Sequence, residues 1–261
     1  MARSIHPRVL AGRIVVAVVF IGLWEGGARL GWLDPFFFSR PSAVMSRVWQ
    51  QLAEGTVWPH LGITVVEAAL SFVLGSVAGI AAGFVLGRSR LLGDIFGPYI
   101  QIANSLPRVV LAPIFLLWFG LGIWSKVALG VTVVFFIVFF NTLKGVREVN
   151  PVLLDNARML GATERQLVRH VLLPSALAWI FSSLEISVGM SIIAAVVGEY
   201  LGSTQGIGYL IAQAEGVFDT TGVFAGMVFL AAFVLVVAAV VGRVERRLLH
   251  WRPRPAETPQ A

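Results

Sequence analysis

The residues of this chain that could do chemistry are few, and they lie in apolar surroundings. Glu67, Arg108 and Glu185 each stand within a long hydrophobic stretch. A charged side chain is costly in an apolar medium, so each is a candidate for a functional contact or for neutralisation by an opposite charge. The sequence leaves two interpretations open: the three residues line a polar pathway, or they form ion pairs between helices.

Covalent and metal chemistry is disfavoured. The chain has no Cys, and its four His are scattered, so neither thiolate catalysis nor a metal site is predicted. No His or Lys accompanies the serines of one apolar run that could supply a nucleophile, Ser182, Ser183, Ser187 and Ser191. No Gly-x-x-x-x-Gly-Lys-Ser/Thr phosphate loop occurs either. We therefore expect no catalytic residue and no cofactor bound by this chain.

The composition requires lipid as the solvent. The chain is 57% hydrophobic and 13% charged, with a mean hydropathy of +0.83, whereas a soluble domain carries about 25% charged residues. Six apolar runs are long enough to cross a bilayer, at residues 14–33, 61–86, 97–119, 126–143, 174–198 and 223–241. The sequence predicts an all-α integral membrane protein with six transmembrane helices, the first of them not cleaved as a signal peptide.

Positive charge predicts the orientation. The net charge is +6, but the Lys and Arg residues lie between the apolar runs, which favours topology signalling over nucleic-acid binding. With both termini in the cytoplasm, the opposite side holds only Arg29, Arg40, Arg47 and Lys126. All other Lys and Arg residues then lie inside, except Arg108 within the third run. We predict that both termini are cytoplasmic.

Small residues and prolines indicate how the helices pack. The second run carries a glycine at every fourth position, a stripe that allows close approach of another helix: Gly75, Gly79, Gly83 and Gly87. Pro107 and Pro113 should kink or break the third helix, and an irregular backbone at that depth favours a place beside a water-filled pathway. Glu25 and Arg29, four residues apart, should form a local ion pair.

The stretch 150–173, between the fourth and fifth runs, has the signals of two short helices. Asn150 is a good N-cap, and Pro151 suits the first helical position. Gly161 can adopt the left-handed conformation that ends a helix. Thr163 and Gln166 then form a capping box for a second helix, predicted to end before Pro174. Such an amphipathic pair suits either the headgroup surface or a protein partner.

The same stretch resembles the EAA loop of ABC importer permeases, whose pattern is Glu-Ala-Ala, three residues, Gly, then a Leu-Pro pair. The matching residues here are Asp155-Asn-Ala157, then Gly161-Ala162, and Leu173-Pro174. Asp155 stands in place of Glu and Asn156 in place of Ala. In that family the loop inserts into a cleft of a cytoplasmic ATPase. The resemblance therefore implies that ATPase motion reaches the membrane through Asp155, Ala157, Gly161, Ala162, Arg165 and Pro174.

Further blocks are similar to the subgroup of these permeases that imports nitrate, sulfonates and taurine. They lie at residues 104–113, 117–126, 141–145, 197–203 and 206–211. The resemblance implies a type I ABC importer permease fold in the bacterial inner membrane. It also implies cytoplasmic ATPase subunits that carry ATP and Mg, a second permease copy or paralogue, and an extracytoplasmic solute-binding protein.

The expected solute is a small anion such as nitrate, a sulfonate or taurine. The main alternative is a pyrimidine vitamin precursor, and a stand-alone channel or an intramembrane enzyme is a less favoured class. The expected organisation is a cytoplasmic segment at 1–13, a first helix and external loop at 14–56, a permease domain at 57–250 and a polar tail at 251–261.

Overall fold

The computed structural model describes residues 7–248, and the regular structure in that part is helical. The first helices are α1 (Pro7–Arg29), α2 (Pro35–Phe38), α3 (Pro41–Ala53), α4 (Val57–Arg88), α5 (Arg90–Ser105) and α6 (Ala112–Phe119). They are followed by α7 (Ile123–Arg147), α8 (Pro151–Met159), α9 (Glu164–Leu167), α10 (Leu173–Leu201), α11 (Ile207–Gly216) and α12 (Thr220–Leu248). A 3₁₀ turn covers Arg108–Leu111, and a π-helical turn covers Val168–Leu172.

Five helical runs are long and apolar enough to cross a membrane: α1, α4, α7, the continuous run Glu164–Leu201 and α12. The sixth predicted span is the pair α5 and α6, which bends by 86° at a short break. Leu106 is extended there, as a residue before proline prefers, so Pro107 breaks the span as predicted. Pro113 behaves differently. It lies in the first turn of α6, where the missing N–H does not matter.

The centre of the fold is α7, which packs between α4 and α10. The glycine stripe of α4 faces α7. A Cβ added to Gly75 would lie 2.7 Å from the Val134 Cβ, and one added to Gly83 would lie 2.6 Å from the Phe139 carbonyl oxygen. Gly79 and Gly87 meet α7 equally closely. Any side chain at these positions would therefore push the two helices apart.

Helix α1 lies at the periphery, with residues 9–23 exposed. Near its C-terminal end, the helix contacts the rest of the protein through Glu25. The predicted pair with Arg29 is confirmed at 2.6 Å, and Glu25 also accepts hydrogen bonds from the backbone N–H and hydroxyl of Ser42. Glu25 thus caps α3 from another helix, and α3 in turn buries Val44 and Val48 against α12.

Candidate coupling loop and translocation pathway

The loop between α7 and α10 begins as the sequence predicts. The Asn150 side chain accepts a hydrogen bond from the Val152 N–H at 2.9 Å, and Pro151 opens α8. The helix ends at Gly161, which has φ +82°, and the Ala162 N–H donates to the Ala157 carbonyl at 3.0 Å. This is the left-handed glycine closure that satisfies the last free carbonyls of a helix. We call the turn at residues 159–163 the elbow.

The second helix of the loop is capped as predicted but does not end as predicted. The Thr163–Gln166 capping box is present, and a helix starts at Glu164. It was expected to stop before Pro174, yet it continues into α10 without interruption. The reason is the π turn at Val168–Leu172, where the Leu173 N–H donates to the Val168 carbonyl, five residues back. The wider turn shifts the hydrogen-bond register just before Pro174, whose missing N–H would otherwise break the ladder.

One face of α8 and the elbow is apolar and exposed. Met159 and Leu160 are 86% and 88% exposed, and Val152 and Leu153 are also exposed. In contrast, Leu154 points inward and packs against a buried cluster where α7 meets α10: Val146, Val149, Leu172, Ala176 and Ile180. The loop therefore presents apolar side chains outward while one residue anchors it to the helices behind.

The loop residues implied by the resemblance surround the elbow. Ala157, Gly161 and Ala162 line a groove of about 290 Å³ beside the elbow. The Asp155 carboxylate is exposed and pairs with Arg158 at 3.3 Å, and Arg165 is exposed. Pro174 lies beyond the groove, in the first turn of α10.

An ion network that the sequence did not predict ties the elbow to α4. Arg88, at the end of α4, lies 3.1 Å from the Glu164 carboxylate. The Arg158 guanidinium lies 3.6 Å from the other oxygen of Glu164. All three side chains are largely exposed, so each contact is worth little by itself. The network nevertheless connects the elbow to the end of α4.

Arg108 lies at the bend between α5 and α6, on the wall of a cavity of about 570 Å³. The guanidinium donates hydrogen bonds to the Asn104 backbone carbonyl at 3.3 Å and to the Asn104 side chain. It also lies over the Phe136 ring, 5.2 Å from the centroid. Its buried Nε has no hydrogen-bond partner. Apart from Asn104 and Asn141, the other lining residues are apolar, among them Phe140.

The other two pathway candidates lie elsewhere. Glu185 borders a separate groove of about 220 Å³ between α10 and α12. Glu67 is 1% exposed and lies in a polar cluster between helices. The interpretation that Arg108 is neutralised by Glu67 or Glu185 is wrong. Among the residues with described side chains, no ion pair joins them, and Arg108 is held by Asn104 instead.

The cluster around Glu67 contains two further charged residues: Lys126, which the charge pattern placed on the external side, and Glu199. Lys126 and Glu199 are each 1% exposed. The Lys126 ammonium donates hydrogen bonds to the carbonyls of Leu121 and Gly122, and Glu199 accepts one from the Thr64 hydroxyl at 2.6 Å. These residues were missed because α7 and α10 extend beyond the apolar runs. The glycines near Glu199 were the only local signal of a crowded site.

Comparison with known proteins agrees with this geometry. Residues 72–250 match the family described as the binding-protein-dependent transport system inner membrane component. The chain belongs to this family. It is a permease subunit of an ABC importer and a multi-pass inner-membrane protein, with ATP hydrolysis assigned to other subunits. The matched region starts within α4 and includes the elbow, the bend at Pro107, and Lys126 and Glu199 of the buried cluster, whereas α1 to α3 and Glu67 precede it.

Three curated permeases are similar over most of their length. The putative aliphatic sulfonates transport permease protein of Bacillus subtilis is 32% identical over 92% of this chain and 87% of its own. The riboflavin transport system permease protein of Chloroflexus aurantiacus is 31% identical, over 92% and 90%. The formylaminopyrimidine transport permease protein of Halalkalibacterium halodurans is 32% identical, over 89% and 92%.

A solved structure has the same fold. A chain of the inward-facing MetNI methionine ABC transporter superposes with a TM-score of 0.57, covering 73% of this permease and 93% of that chain at 22% identity. The predicted type I ABC importer permease fold is therefore confirmed. Three relatives of nearly equal identity carry the names of three different solutes, so similarity alone does not select the solute.

Proposed function

We propose that this permease forms one half of a transmembrane pair, with either a second copy or a paralogue, and that a cytoplasmic ATPase docks on α8 and the elbow. The observation that carries the proposal is the exposed apolar face of the loop. The side chains of Met159 and Leu160 are almost fully exposed, beside a groove lined by Ala157, Gly161 and Ala162. An apolar face of this kind outside the membrane-length runs favours a protein partner.

The packing supports a route for motion from the elbow into the membrane. Leu154 of α8 packs against the cluster shared by α7 and α10, and the helix that starts at Glu164 is continuous with α10. ATP-driven closure of the ATPase subunits, which carry ATP and Mg, would displace the elbow. Because packed helices move as rigid bodies, the displacement would tilt α10 against its neighbours. An extracytoplasmic binding protein would deliver the solute, and both termini would lie in the cytoplasm.

Arg108 supports a small anion, such as a sulfonate, nitrate or taurine, as the solute. Its guanidinium lies on the wall of a mostly apolar cavity, and its positive charge is not neutralised by any described carboxylate. A cation in such surroundings attracts a negatively charged group strongly, because little water screens it. The sulfonate relative fits this proposal.

A pyrimidine vitamin precursor is the second candidate. The same cavity is lined by the rings of Phe136 and Phe140 and by the amides of Asn104 and Asn141. Rings could stack on a heteroaromatic solute and amides could bond its polar edge. The riboflavin and formylaminopyrimidine relatives fit this alternative. Arg108 distinguishes the two, because an uncharged heterocycle has less need of a half-buried cation.

Substitution at Gly161 tests the coupling role. Its φ of +82° is disfavoured for L side chains, but an added Cβ would meet no atom within 4 Å. The effect of a substitution is therefore conformational, without a steric clash. Gly161→Val should abolish uptake in cells that also carry the ATPase and the binding protein. Gly161→Asn is the matched control and should retain most uptake, because Asn tolerates the left-handed region.

Membrane insertion of both variants is measured by immunoblotting of membrane fractions and should equal that of the wild type. Normal uptake by Gly161→Val would contradict the coupling role of the elbow. Equal loss of uptake in both variants would mean that the site demands more than a left-handed backbone, and the conformational argument would fall.

A further inference from the structure

The buried polar cluster at the end of α10 far from the elbow holds the start of α11. Three consecutive backbone N–H groups there donate to side chains of other helices. Gly206 donates to His60 Nδ1 at 3.1 Å, Ile207 to Thr64 Oγ1 at 3.1 Å and Gly208 to Glu199 Oε2 at 2.7 Å. The first N–H groups of a helix have no partner within it. Here α4 and α10 supply all three partners.

The backbone around Glu199 is shaped to fit its carboxylate. A Cβ added to Gly206, which has φ +115°, would lie 2.2 Å from the Glu199 carboxyl carbon. One added to Gly208 would lie 2.2 Å from the Val196 carbonyl oxygen. Only glycine at these two positions lets the start of α11 approach α10 this closely. A carboxylate at a helix N-terminus is also favoured by the helix dipole.

The hydrogen bonds assign an accepting role to the Glu199 carboxyl group. Both oxygens of Glu199 accept, one from the Thr64 hydroxyl at 2.6 Å and one from Gly208. Glu199 is therefore the acceptor, as a carboxylate is.

We propose that Glu199 is a positioning residue that fixes α11 to α10, so that movement of the elbow also moves α11. The helical run Glu164–Leu201 has 38 residues, which is about 57 Å at 1.5 Å per residue. It begins at the elbow, and Glu199 lies near its other end. This inference rests on the proposed function only in one respect, which is that the ATPase subunits displace the elbow.

The test uses two variants of nearly identical shape in the complete transporter, reconstituted with its ATPase and binding protein. Glu199→Gln replaces one of the two accepting oxygens with an amide N–H₂ and removes the negative charge at the N-terminus of α11, so α11 should detach. Glu67→Gln is the matched control, because the N–H groups at the start of α11 donate to other side chains, so α11 should stay attached. The measurements are hydrogen exchange of the peptide that contains residues 206–208, basal ATPase activity and uptake of the solute identified for the wild type.

For Glu199→Gln we expect at least tenfold faster exchange at residues 206–208 and at least tenfold lower uptake, with basal ATPase activity within twofold of the wild type. Glu67→Gln should stay within twofold of the wild type in all three. Thr64→Val, which removes one cap without changing charge, should accelerate exchange and lower uptake several-fold. It serves as the deciding variant if Glu199→Gln does not assemble.

Wild-type exchange and uptake in Glu199→Gln, or in Thr64→Val where the former does not assemble, would overturn the proposal. Faster exchange with normal uptake would also overturn it, because α11 would then be fixed without consequence for transport. Equal damage from Glu67→Gln would also overturn it, because the loss would then not depend on the hydrogen bonds that hold α11. If Gly161→Val abolishes uptake while Glu199→Gln does not, this inference fails and the proposed coupling role of the elbow stands.

Discussion

The contact between α4 and α7 leads to a quantitative prediction for Gly83→Ala. The new Cβ would lie 2.6 Å from the Phe139 carbonyl oxygen and 2.9 Å from the Thr142 Cβ. The first of these atoms belongs to the backbone, so it cannot rotate away, and the two helices must separate by several tenths of an ångström. Overpacking of this kind costs about 1–3 kcal/mol. The neighbouring glycines of the stripe would lose contact as well.

Gly62→Ala is the matched control, because it lies on the same helix and an added Cβ meets no atom within 4 Å. Both substitutions gain the same helix propensity, about 1 kcal/mol in water, so that contribution cancels in the comparison. The free energy of unfolding of Gly83→Ala should therefore be about 1–3 kcal/mol lower than that of Gly62→Ala. Equilibrium unfolding of the purified permease in mixed detergent micelles measures the difference. Equal stabilities would refute the packing argument.

Three other predictions concern topology, catalysis and the solute. Reporter fusions at Glu215 and Gln260 should report opposite sides of the membrane, and the same side for both would contradict the charge-based orientation. Permease purified free of other subunits should hydrolyse no ATP, since the sequence has no phosphate loop; activity in such a preparation would refute this. Arg108→Gln should lower uptake of an anionic solute at least tenfold in an assembled complex, with Arg108→Lys less affected; unchanged anion uptake in the glutamine variant would exclude a solute role for Arg108.

The sequence was informative where the determinants of structure are local. A capping box, a proline at the first helical position and a glycine at a helix end each act within a few residues, and the elbow formed where these signals placed it. The glycine stripe was equally readable, because its spacing is a property of one helix. The sequence failed at Pro174 for a specific reason. A π turn absorbs the missing donor, and no local signal distinguishes that solution from a helix end.

The buried cluster could not be predicted, because its members come together only in the folded protein. Thr64 and Glu199 are 135 residues apart and joined by a hydrogen bond of 2.6 Å. Lys126 had the sequence position of an external flanking charge, and its burial depends on how α7 packs against α10 near Gly198. Arg108 is a different case, because its hydrogen-bond partner Asn104 lies only four residues away in the sequence.

Several of the blocks that resemble the nitrate, sulfonate and taurine subgroup lie where helices bend or pack closely. Residues 104–113 contain the bend at Pro107. Residues 141–145 end at Gly145, which packs against Trp179. Residues 197–211 contain Glu199 and the start of α11, which are joined by a hydrogen bond. Bends and close contacts of this kind determine how the helices move, and an importer needs them whichever solute it transports. The resemblance therefore identifies the class of transporter more strongly than the transported solute. Selectivity in the membrane would then depend on the side chains that line the cavity, and Arg108 and the phenylalanines beside it are the ones to vary first.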